Sequence, residues 1–137
     1  MGTFGTGPFD NDDALDFLSD VAADGIDAVD RIFDDLMEEA SGECIESDLC
    51  AMGVAAIEMV ALAKKQKLFS NPILKTLEFP TNLEKKLTTK GRIQKAERVA
   101  RIVVATNSEL AQLWDQAGKG KAWRSRVERI AKSFIAD

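Results

Sequence analysis

The sequence contains no histidine and no tyrosine in 137 residues, and these two absences remove whole classes of chemistry. Without histidine there is no Ser-His-Asp or Cys-His relay, no HExxH zinc helix and no Glu-x-x-His di-iron site. Without tyrosine the phenolic acid and nucleophile are missing too, which leaves an enzyme only carboxylate or lysine chemistry. Cysteine is scarce: Cys44 and Cys50 are the two present. With no export signal they are expected to be reduced thiols. Placed six residues apart on one helix they would point to opposite faces, so no bridge is expected, and at least one reads as a small core residue. No run of eighteen apolar residues occurs, so no transmembrane helix is expected. The start of the chain lacks the basic and apolar stretches of a secretory signal, and a cytoplasmic location follows as the expectation. Gly2 and Thr6 fit a myristoylation pattern. Acidic rather than basic residues follow it, however, and one acyl chain without a basic patch anchors only marginally. No membrane partner is expected.

What is present is one globular core and an uneven charge distribution. The length, with 45% hydrophobic and 30% charged residues, suits a single ordered domain spanning residues 1–137. The net charge of −5 hides a strong polarity along the chain. Residues 1–48 hold fifteen carboxylates and a single base, Arg31, for a net −14; residues 49–137 hold seventeen bases and eight carboxylates, for a net +9.

The hydrophobic period is helical throughout. A Gly- and Pro-punctuated lead-in over residues 1–9 precedes Asp10, which reads as an N-cap with Asp13 three residues on and Phe9 as the outer half of a hydrophobic staple. The first helix then places Ala14, Leu15, Leu18, Val21 and Ala22 on one side and Asp16, Asp20 and Asp24 on the other, before Gly25. The second is amphipathic: Ile26, Val29, Ile32, Phe33, Leu36, Met37 and Ala40 oppose Asp27, Asp30, Asp34, Asp35, Glu38 and Glu39. A third helix from Ser47 to about Lys67 has Glu58 as its only charge between Leu49 and Ala63. A helix apolar nearly all round belongs at the centre of a bundle. Residues 68–91, with Pro72 and Pro80, read as an irregular connector containing a short helix near Leu83–Leu87. Two more segments follow, one from Ile93 and one around Trp123–Phe134, with Gly118 and Gly120 as breaks between them. Asn107-Ser108-Glu109 either caps a fresh turn or lies in a continuing helix. With no strand pattern, the expectation is an all-α bundle of five or six helices.

Four features invite chemistry. The run Asp10-Asn11-Asp12-Asp13 lacks the glycine and the terminal glutamate of an EF-hand loop, so capping explains it better than calcium. Gly2, Gly5 and Gly7 follow no strand and precede no Lys-Ser/Thr pair, which argues against a phosphate loop. Glu58 is either a buried carboxylate of raised pKa or a rim residue beside a base. The acidic faces of residues 16–39 are a solvated surface, an internal partner for the basic C-terminal helices, or a dock for a basic partner. Trp114 and Trp123 fall on apolar stripes, and the acidic half would repel phosphate backbones, so no nucleic-acid partner is expected. No cofactor, metal ligand set or catalytic residue is expected either.

The opening Met1-Gly2-Thr3-Phe4-Gly5-Thr6-Gly7-Pro8-Phe9-Asp10-Asn11-Asp12-Asp13-Ala14 resembles a bacterial domain family of unknown function whose members begin MGTWGxGPFDNDxA, with Phe4 in place of the usual tryptophan. Ser108-Glu109-Leu110-Ala111-Gln112-Leu113-Trp114 is similar to the same family's C-terminal S-E-L-x-x-L-W pattern. The resemblance implies a small helical intracellular protein and supplies no activity. Some small bacterial proteins of this type look similar to immunity proteins encoded beside secreted or contact-dependent toxins. The expectation is therefore a non-enzymatic protein that binds a basic toxin domain through Asp27, Asp30, Asp34, Asp35, Glu38 and Glu39. A carboxylate-dependent, Mg²⁺-using enzyme built on Glu58 or Asp10–Asp13 is the alternative, with a self-associating module as a third reading.

Overall fold

An apolar helix must be covered on every side, and the third helix sets the architecture by that requirement. The computed structural model describes residue 5 and residues 7–135; the acylation pattern at Gly2 and Thr6, and Phe4 of the opening motif, lie outside these. Among the described residues there are seven α-helices: α1 (Asp12–Asp24), α2 (Ile26–Glu39), α3 (Ser47–Lys64), α4 (Leu83–Leu87), α5 (Lys90–Val103), α6 (Glu109–Gln116) and α7 (Gly120–Ile135). Two 3₁₀ turns, Leu68–Ser70 and Leu74–Thr76, sit in the connector. All six other helices contact α3, whose Cys50, Val54, Ala55, Ala56, Ile57, Met59 and Val60 are buried. Gly53 lies where α2 and α5 come closest to α3. A Cβ there would overlap Leu36 and stand 3.5 Å from both Val99 and Val103.

The amphipathic faces explain the outer layer. Phe17 and Leu18 from α1, and Phe33 and Leu36 from α2, are fully buried, each contributing about 1.5–3 kcal/mol through removal from water. Trp114 and Trp123 are buried as their stripes imply. Gly25 separates α1 from α2 at φ 67°, a left-handed backbone that favours glycine, and donates its amide to Val21 at 2.7 Å.

Several local expectations are corrected. The N-cap of α1 is Asn11, whose side chain accepts from the Ala14 amide at 2.7 Å, one residue beyond Asp10. Asp10 instead turns back and accepts from the Gly7 amide at 2.9 Å, bracing the lead-in. Cys44 and Cys50 do not share a helix: Cys44 is exposed in the loop before α3, and Cys50 is buried within it. Gly120 is the first residue of α7 and is buried rather than a break. The helix count exceeds five or six because Ser108 caps α6 as a helix of its own, accepting from Ala111. No helix among the described residues is long and apolar enough to cross a membrane.

Candidate interaction surface

The six acidic residues singled out on α2 divide into two edges. On the inner edge, Arg92 of α5 grips Asp30 with two parallel bonds, Nε to Oδ1 and Nη2 to Oδ2, both at 3.0 Å. Such forked pairing is the strongest geometry available to this residue combination, and the bond to Asp30 raises the Arg92 pKa further. One turn on, Lys95 reaches Asp34 at 3.0 Å, and the Asp27 carboxylate also acts electrostatically on Arg92. Internal neutralisation therefore serves this edge.

The outer edge is different. Asp35, Glu38 and Glu39 are exposed and make no ion pair among the described residues. They converge with Glu46, Cys44 and Leu49 around a hollow of about 310 Å³. Glu46 was not among the residues expected here; it belongs to the acidic N-terminal third but lies on a loop that helical periodicity does not reach. Glu38 and Glu39 occupy the last turn of α2, which carries no base. A helix C-terminus presents the negative end of its dipole, so each glutamate there is unfavourable by about 0.3–1 kcal/mol. Asp35 and Glu39, four apart, add like-charge repulsion.

The shape of this hollow is fixed from a distant part of the chain. Ile45 pairs with Ser108 in an isolated parallel bridge, its amide donating to Asn107 and its carbonyl accepting from Glu109, each at 2.9 Å. The Asn107 side chain donates to the carbonyls of Ala40 and Gly42. The Glu109 carboxylate accepts from the Ser47 amide at 2.8 Å and so caps α3. Ser108, fully buried, donates to Cys50 Sγ at 3.4 Å while capping α6. Burial pushes the Cys50 thiol up, consistent with a packing role rather than a reactive one.

The remaining candidates sit elsewhere. Asp10, Asn11 and Asp12 point to separate tasks, and Asp13 has its pKa raised by burial and by Asp48, Asp16 and Asp12. Among the described residues no group of three or more Cys, Asp or Glu side chains is arranged to hold a metal ion. Glu58 is half-buried at the rim between α3 and α7; burial raises its pKa, with Lys65 and Arg126 pulling the other way.

A family described as a domain of unknown function (DUF4259) matches residues 2–126. No curated protein and no solved structure matches the chain. The chain belongs to the DUF4259 family.

Proposed function

We propose that this DUF4259 member is a non-enzymatic binding protein that neutralises a basic protein partner, in the manner of an immunity protein against a cognate toxin domain. The observation that carries this reading is the outer edge of α2. Its carboxylates gather at a hollow where helix dipole and mutual repulsion both oppose them, and no base of the described chain offsets the cost. A cationic partner would offset it, and a dense field of one sign speeds encounter and disfavours wrong partners. Asp35, Glu38, Glu39 and Glu46 are the docking carboxylates in this reading, and Asp27, in the first turn of α2, lies outside the hollow. Asp30 and Asp34, engaged by Arg92 and Lys95, hold α2 in place instead. Leu49 in the hollow supplies an apolar surface for the stem of an inserted lysine or arginine.

The test is affinity capture from the native host with the wild-type chain and with Asp35→Lys/Glu38→Lys/Glu39→Lys, followed by growth rescue on co-expression with any basic protein retained. The expected result is a cationic partner whose retention falls with salt, whose toxicity the wild type suppresses, and which the triple variant neither holds nor neutralises. Equal retention and rescue by both chains would overturn the reading.

A further inference from the structure

Away from the acidic edge, α3 and α7 enclose a second hollow of about 260 Å³, to which α3 contributes Glu58 and its C-cap residue Lys65, and α7 contributes Arg126, Arg129 and Ile130. Three cations face one carboxylate there. Lys65 and Arg126 lie close enough to Glu58 to act on it electrostatically, yet neither they nor Arg129 form an ion pair among the described residues. The neighbouring Lys64 donates to the carbonyl of Ser133, which also lines the hollow, at 2.7 Å. Arg126 also borders the lead-in turn, since a Cβ at Gly7 would come 3.5 Å from its Nη1.

We propose that this hollow, walled by Lys65, Arg126 and Arg129, is a binding site for a phosphate monoester. The excess of positive charge matches a group carrying between one and a half and two negative charges, roughly, at neutral pH. Two guanidiniums offer planar forks to its oxygens, and the lysine adds a point charge. Ala61 and Ile130 give the remainder of a small ligand an apolar wall. The volume lies just below the range of drug-sized pockets, about 300–1,000 Å³, and so favours a compact ligand. Glu58 selects against a bare polyanion, because it repels charge beyond what the three cations absorb. The site is independent of the acidic docking edge.

The 137-residue chain is titrated with a hexose phosphate, with inorganic phosphate, and with phosphatidylcholine vesicles containing phosphatidic acid, while backbone amide shifts are followed by NMR. The hexose phosphate is expected to saturate, with shifts concentrated at residues 58–65 and 126–133. Arg126→Gln/Arg129→Gln should weaken it by about tenfold or more, whereas Lys85→Gln/Lys86→Gln, an equal loss of charge on α4, should leave it unchanged. Saturable binding to the vesicles but not to the soluble phosphates, again lost in the arginine variant, supports the site with a lipid headgroup as the source. Non-saturating shifts with every probe, or equal weakening by both double variants, would overturn the proposal. The spectra of each variant also report whether it is folded.

Discussion

Glu58 shows how burial at a single position becomes a pH dependence. Its ionised form is disfavoured in the folded chain, chiefly by burial. As pH rises the unfolded chain therefore loses the proton first, and stability falls between the ordinary value of 4.5 and the raised folded value, the penalty being complete above it. Glu58→Gln removes the penalty. The variant should unfold at higher urea than wild type at neutral pH and match it in acid; a wild type more stable at neutral pH would show that Lys65 and Arg126 outweigh burial. Gly53 offers a second single-residue test. Gly53→Ala gains up to about 1 kcal/mol of helix propensity but forces Leu36 to move in a closed core, an overpacking cost of about 1–3 kcal/mol. A net destabilisation is expected in urea melts. In a Leu36→Ala background, where the space already exists, the same change should become neutral or stabilising.

At the scale of elements, the structure separates what periodicity can and cannot reveal. The bodies of α2 and α7 follow from the 3.6-residue period, α3 follows from its long, nearly uncharged apolar run, and α4 falls where the sequence places it, at Leu83–Leu87. The start of α1 is displaced by one residue because Asp10 and Asn11 are equally able to cap. The choice depends on a free Gly7 amide drawing Asp10 backward. The inner and outer edges of α2 are indistinguishable in sequence, since Asp30 and Asp35 carry the same group at the same period. What separates them is Arg92, sixty-two residues further on, and that pairing exists only after the helices assemble. The sequence leaves the Asn107–Glu109 segment open between a fresh helix start and a continuing helix, and gives no sign of it as the brace of the α2–α3 loop. Ser108→Ala removes the α6 cap and should cost about 1 kcal/mol. Asn107→Ala should instead act locally, raising hydrogen exchange at Gly42 to Ser47 more than at the α3 core. A uniform rise across the molecule would contradict that division.

For the whole molecule, the charge polarity of the chain is only partly cancelled by folding. Arg92 and Lys95 bring α5 to the inner edge of α2, while the outer edge keeps its field. Neutralising Glu38→Gln/Glu39→Gln should therefore stabilise the isolated protein at low salt by about 0.3–1 kcal/mol for each residue. The gain should largely vanish near 1 M salt, where the screening length is about 3 Å; paired urea melts at the two ionic strengths measure it. Loss of stability at low salt would mean that these carboxylates are useful to the free chain. The bridge between Ile45 and Ser108 has a consequence in time. Every carboxylate of the acidic hollow has left the ribosome tunnel's reach long before residues 107–109 are synthesised, yet the loop carrying Glu46 has no brace until they arrive. Closing a loop of this length has an entropic cost that only the late contacts recover. The nascent chain thus displays the charge early and the shape late, and a partner that recognises shape would meet only the finished protein.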